Sequence, residues 1–240
     1  MIGRVLLAAL LAGIVAGIVM GAIQHVRITP LILQAEVYET AAASHGATAE
    51  TATDTLAAAA PEHSHEDEEW SPADGWERTL STTVATMLAG AGFAVILAGI
   101  SLLTGIPVTP SNGAIWGMCA FLAATLAPAA GLSPELPGMP AGDLVTRQIW
   151  WAGTILATGT ALYLIVTRKE LWAMALAVVL IALPHVIGAP QPVTHETAVP
   201  AGLAATYASN VIAVAAVFWS LIGVFLGYAL RRFSKDIHAT

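Results

Sequence analysis

Six long apolar runs, separated by short polar or proline-rich breaks and one long polar loop, set the pattern of this chain. A helix rising 1.5 Å per residue needs about 20 mainly apolar residues to cross a bilayer. The runs that meet this test extend from Arg4 to Ile23, Thr79 to Leu103, Ala114 to Ala130, Ile149 to Val166, Leu171 to Ile187 and Thr206 to Leu230. The fifth is the weakest, being short and carrying Pro184 and His185 near its end. The pattern predicts an all-α, polytopic integral membrane helix bundle of about six transmembrane helices, forming one membrane domain over residues 1–240.

Residues at the run boundaries support these elements. Ser71-Pro72-Ala73-Asp74 reads as a helix start, with a cap, a proline at the first helical position and an acid at the third. Thr109-Pro110 does the same before the third run, after Gly105 and Pro107 end the second, and Asp143 and Arg147 stand four apart before the fourth. Trp70, Trp76, Trp150 and Trp151 fall where interfacial aromatics are expected. The apolar stretch from Val5 to Ile23 exceeds the 7–15 residues of a signal-peptide core, and Met20-Gly21-Ala22 is a poor cleavage site, so the first run is expected to be an uncleaved span.

Composition agrees. The chain is 57% hydrophobic and only 10% charged, against about 25% charged in soluble domains. The distribution of charge says more than its total of −7. With the N-terminus inside, the cytoplasmic segments hold Arg4, Arg168, Lys169, Arg231, Arg232 and Lys235, against Arg27, Arg78 and Arg147 outside. The positive-inside bias thus predicts N-in and C-in. Fourteen of the sixteen acids then lie outside, all but Glu170 and Asp236. One cysteine, Cys119, permits no intramolecular disulfide. The basic residues form no stripe with interleaved aromatics, so nucleic-acid binding is unsupported.

The long outer loop, residues 25–78, has three parts. Residues 25–40 are apolar enough to lie on the membrane or the bundle, 41–60 are an Ala/Thr low-complexity stretch expected to be mobile, and 61–69 are rich in acids and histidine. His63, His65, Glu66 and Asp67 in this last part carry imidazole and carboxylate ligands suited to divalent Co, Ni, Zn or Mn, with His45 less supported. An acidic tract is also commonly just solvated. His185 follows Pro184 at the outer end of the fifth run; ionisable groups at membrane depth are functional candidates, and proline frees a carbonyl that could face an ion. The blander alternative is a neutral interfacial histidine. His25, Glu36, Glu39, Glu135 and Asp143 fall on the same outer side and could ring an entrance, or serve as ordinary surface groups.

Gly13, Gly17 and Gly21, preceded by Ala9 at the same spacing, put small residues on one helix face for close packing, and Gly223 and Gly227 make a weaker version. Asn210 and Thr125 could bond across helices or line a path. No Walker motif, HExxH motif or acid within a run is present, which argues against intrinsic ATP hydrolysis, a zinc protease and a carboxylate-relay pump. An enzyme is not expected.

Several segments together resemble one family. They are Arg4 to Gly13, Thr29 to Tyr38, Trp70 to Thr79, Leu126-Ala-Pro with Pro134 to Gly138, Arg147 to Trp151, Pro184 to Pro192, and Phe218-Trp219. The chain in this order is similar to CbtA proteins. The resemblance implies a bacterial inner-membrane subunit of a predicted cobalt transporter, associated with vitamin B12-regulated gene clusters. It also implies CbtB, a small one-span protein with a histidine-rich tail, as companion. Co²⁺ is then the transported ion, with no tightly bound cofactor. Glu36, Asp74, Glu77, Glu135 and His185 sit in matching motifs. The alternatives are a non-transporting scaffold for a metal-binding partner, a transporter of nickel or another divalent cation, and an outward-facing metal enzyme. A homo-oligomer is compatible with each.

Overall fold

The computed structural model describes residues 2–50 and 75–235, with backbone only for 42–50 and 234–235. Every regular element among the described residues is helical. They form α1 (Ile2–Arg27), α2 (Thr29–Glu50), α3 (Trp76–Thr104), α4 (Gly113–Ala129), α5 (Leu144–Thr167), α6 (Leu171–Ile187) and α7 (Ala201–Lys235). By length and composition α1, α3, α5 and α7 can each cross a membrane. The apolar helices α4 and α6 are shorter, at 17 residues each, or about 26 Å, the low end of what spans a hydrocarbon core.

On α1 and α6 small residues are inside and large ones outside. On α1 the buried positions are Ala8, Ala9, Ala12, Gly13, Ala16, Gly17, Met20 and Gly21, while Leu6, Leu7, Leu11, Val15 and Ile18 are exposed. On α6 Ala173, Ala177 and Pro184 are buried, while Val178, Val179 and Val186 are exposed. Water would reverse this pattern. In lipid, whose tails are as apolar as leucine, helices associate through close packing, and small residues permit it.

Two glycine seams show the result. A Cβ on Gly13 would collide with the backbone of Gly90 and Ala91, one on Gly17 with Met87, and one on Gly21 with Thr83. The descending partners make α1 and α3 antiparallel. The second seam joins α4 to α7: Gly113 lies against Gly223, Gly117 against the Trp219 carbonyl, and Gly227 against Thr109. Helix α7 also packs along α1, so α1, α3, α4 and α7 form a four-helix core. Their larger side chains, including Leu97, Phe121, Phe218, Trp219, Ile222 and Leu226, fill its interior. Helices α5 and α6 form an antiparallel hairpin that meets the core mainly along α4.

Several expected boundaries move. Helix α3 begins at Trp76, after Gly75 in a glycine-only conformation (φ 97°, ψ −129°); the expected start at Ser71–Asp74 lies outside the described residues. The Thr109-Pro110 start is instead a turn. The Thr109 N–H donates to Asn112 Oδ1 at 2.7 Å, and the helix proper opens at Gly113. Asp143 does not pair with Arg147 through side chains. It caps α5 by accepting the Thr146 N–H at 2.9 Å, while Arg147 reaches Glu135. Of the Ala/Thr stretch 41–60, residues 41–50 continue α2 as helix to Glu50, as alanine's high helix propensity favours, and 51–60 lie outside the described residues.

The helices alternate in direction, which collects charge at two ends. Arg4 of α1, the α3–α4 loop and Arg231 of α7 line one cleft at a basic end. The α1–α2 junction, the start of α3 and residues 130–143 and 188–200 meet at the other, acidic end.

Candidate functional site

Helix α2 folds back over the acidic end because Ala35, buried on its inner face, packs with Leu136 and Val199. The proline-rich turn holding Leu136 is tied by Thr197 Oγ1, which donates to the Gly138 carbonyl at 3.0 Å. Two ion pairs fasten this cap. Arg78 Nη1 lies 2.9 Å from Glu36 Oε1, joining α3 to α2, and Arg147 Nη2 lies 2.8 Å from Glu135 Oε2, joining α5 to the turn. All four side chains are about a quarter to a third exposed, so each pair contributes roughly 0.2–1 kcal/mol and acts more in placement than in stability.

Below the cap, a cavity of about 770 Å³ separates the core from α5. Its floor is aromatic. Phe93 lies tilted against Trp219 with centroids 4.7 Å apart and meets Phe218 edge-on at 6.4 Å. Trp219 Nε1 donates to Thr125 Oγ1 at 3.0 Å. Thr125 lies in the π-helical turn Leu122–Leu126 that interrupts α4. Such turns are frequent at functional sites. The walls are mainly apolar, with Gln24, Thr29, Arg78, Thr82 and Tyr207 as polar members. Arg78 thus belongs both to the cap and to the cavity wall.

The expected ligand residues are distributed around this geometry rather than gathered in it. Glu36 and Glu135 are engaged by arginines. His25 Nδ1 shares a hydrogen bond with Thr79 Oγ1 at 3.1 Å beside the cap. His185 is exposed on the α5–α6 hairpin, its ring edge-on to Trp150 at 5.9 Å. The Pro184 carbonyl accepts the Trp150 Nε1–H at 3.1 Å and the Gly188 N–H at 3.1 Å. His63, His65, Glu66 and Asp67 lie outside the described residues. Among the described residues no three His, Cys, Asp or Glu converge closely enough to hold a metal. Asp143 is held below the usual carboxylate range, first by the Thr146 N–H and then by its hydroxyl.

Of the two residues singled out as cross-helix candidates, Thr125 does bond across helices. Asn210 bonds within its own, donating from Nδ2 to the Thr206 carbonyl at 2.8 Å. Gln24, Thr82 and Tyr207 carried no sequence signal, since each is an ordinary polar residue near the end of an apolar run. Arg78 and Arg147 were legible as charges and as members of boundary segments, without their partners.

A family profile described as "probable cobalt transporter subunit (CbtA)" matches residues 2–231. The chain belongs to the CbtA family. No curated protein and no solved structure matches it. Membership agrees with the lipid-facing exterior, and together they make this CbtA chain a multi-pass membrane protein belonging to a transporter of more than one subunit. A family of transporter subunits points to a non-enzymatic role.

Proposed function

We propose that this CbtA chain is the membrane-embedded subunit of a bacterial inner-membrane cobalt transporter, oriented N-in and C-in, and that the cavity beneath the acidic cap is the vestibule for Co²⁺. The cavity carries this reading: a concave space of ligand size extends from Gln24, Thr29 and Arg78, at the end of the bundle where the acids collect, to the π turn of α4.

His63, His65, Glu66 and Asp67 would concentrate the cation by charge and by imidazole and carboxylate affinity, or receive it from a CbtB-like companion. His25, Glu36, Glu135 and His185 stand around the approach. Glu36 and Glu135 each give one oxygen to an arginine, and the second oxygen of each would be the one offered to the ion. Inside, uncharged oxygens of Gln24, Thr82 and Tyr207 would face an ion that keeps part of its water. A divalent ion moving down the membrane potential gains about 4.6 kcal/mol per 100 mV, which suffices as a driving force for a chain without an ATP site.

Uptake of labelled cobalt into cells expressing the chain, with and without the companion, tests the reading. Uptake above empty-vector cells is expected, and Ala215→Phe, which fills the cavity from α7, should reduce it. Uptake equal to empty vector under both conditions would remove the proposal. The scaffold alternative predicts that the purified chain binds no Co²⁺ alone and that Ala215→Phe is silent. Competition by Ni²⁺ in the same assay measures metal preference.

A further inference from the structure

Helix α5 meets the rest of the bundle mainly through α4, so the cavity between the core and α5 is a groove with α3 on one side and α5 on the other. Its rim is open. Ile96 of α3 and Trp151 and Leu156 of α5 line it while 58%, 45% and 71% exposed. No charged residue follows Arg78 on α3 up to its end at Thr104, or Arg147 on α5 up to its end at Thr167. Both sides of the groove are therefore uncharged over the length of a membrane span.

Small residues stand on these sides where α1 and α6 present large ones to lipid. Gly13, Gly17, Gly113, Gly117 and Gly223 are pressed against a neighbouring backbone and leave no room for a Cβ. Gly92 and Gly99 of α3 and Gly159 of α5 have nothing within 4 Å. Ala85, Ala89, Gly92 and Gly99 recur at helical spacing with the groove-lining Ile96, so they share its face of α3. Gly159 shares a face of α5 with the groove-lining Ala152, Ile155 and Leu156 in the same way. In a bilayer, small residues on a helix face let another helix approach closely.

We propose that the groove between α3 and α5 is the docking site for a single transmembrane helix of the transporter's second subunit. The family is one of transporter subunits, which implies a partner chain. The occupant that suits these sides is an uncharged apolar helix that comes close to Gly92 and Gly159. An acyl chain packs as well against leucine as against glycine, so lipid gives no reason for the small residues. A second copy of this chain fits poorly. The small faces of its α1, α4 and α7 are already engaged inside its own bundle, and its α3 or α5 would arrive with that bundle attached. Seated in the groove, the partner helix closes the side of the cavity that otherwise opens onto hydrocarbon, which a polar path across the membrane requires. Only this last consequence rests on the cavity being an ion vestibule; the docking itself requires a second membrane subunit and no particular ion.

The full chain, co-expressed with the companion of the uptake assay, would carry a photo-crosslinking residue in place of Ile96 or Leu156. Controls would carry it in place of Leu11 or Val178, exposed on α1 and α6. Adducts with the companion's apolar segment, identified by mass, are expected from both groove positions and from neither control. Gly92→Leu and Gly159→Leu put bulk on the two sides of the groove where the chain's own atoms leave space. The melting temperature of the chain alone should hold, while the companion recovered with it should fall roughly tenfold, as overpacking of a helix contact predicts. Gly153→Leu, equally free of neighbours but off the groove face of α5, should leave recovery unchanged. Companion adducts at equal yield from the controls, or full recovery with both leucine variants, overturn the proposal. Adducts with a second copy of the chain, or with lipid alone, overturn it as well and name the true occupant. Neither measurement reads cobalt, so a failure of docking and a failure of the transport reading are told apart.

Discussion

The indole N–H of Trp150 donates to the Pro184 carbonyl at 3.1 Å, and the same ring meets His185 edge-on at 5.9 Å, which locks α5 to the last turn of α6. Pro184 removes one donor from α6 and would leave the Leu180 carbonyl without its helical partner. A helix weakened there needs an external clamp. Trp150→Phe keeps the ring and loses the bond. Because the Pro184 carbonyl also accepts from Gly188, it is not orphaned, and the expected cost is about 0.5–1 kcal/mol. Denaturant unfolding in detergent micelles measures it. A larger loss on Trp150→Ala would show that the ring contributes more than the bond.

The glycines divide into two groups with opposite expected behaviour. Gly13→Ala and Gly223→Ala place a methyl inside the backbone of the facing helix. Each should separate α1 from α3 or α4 from α7 and cost several kcal/mol, on the order of a severe overpacking defect. Gly99→Ala and Gly153→Ala meet nothing within 4 Å. They should be neutral or stabilising by up to about 1 kcal/mol, the helix propensity difference. Monodispersity on size exclusion and melting temperature separate the groups.

Substitutions in the Arg78–Glu36 pair should be asymmetric in cobalt uptake while similar in stability. Glu36→Gln leaves one more positive charge at the cavity mouth, which opposes a divalent ion, whereas Arg78→Gln leaves a negative one. Uptake should fall several-fold in the first and be unchanged or raised in the second. A double-mutant cycle on stability should return only about 0.2–1 kcal/mol of coupling. Equal effects on uptake would mean that the pair fastens α2 and does nothing for the ion.

Asp143 gives a pH signature. Its pKa in the folded chain is lowered by the Thr146 N–H and hydroxyl. Its contribution is therefore fully present above the ordinary carboxylate value of about 3.9 and is lost as pH falls through the lower folded value. Asp143→Ala should lower the melting temperature at neutral pH, and the difference from the native chain should vanish in strong acid. A difference independent of pH would assign the effect to helix propensity rather than to the ionised cap.

The six apolar runs could be read from the sequence because lipid solvation is a property of one segment at a time. A run of about 20 apolar residues is sufficient whatever its neighbours do. Leu171 to Ile187 is bounded in the structure where the sequence bounds it, between Glu170 and Gly188. The Gly13, Gly17 and Gly21 stripe announced close packing, and the charge count separated a basic end from an acidic one, for the same local reason. Partnership was not legible. Nothing in the spacing of Asp143 and Arg147 reveals that Arg147 prefers Glu135, or that Glu36 meets Arg78 across 42 positions of chain. Nor could the sequence show that Gln24, Thr82, Thr125 and Tyr207, from four different helices, border one cavity. Those outcomes depend on which glycine seam mates with which helix and on how far α5 stands off the core. Both are set by backbone contact between remote segments, and only the assembled bundle contains it.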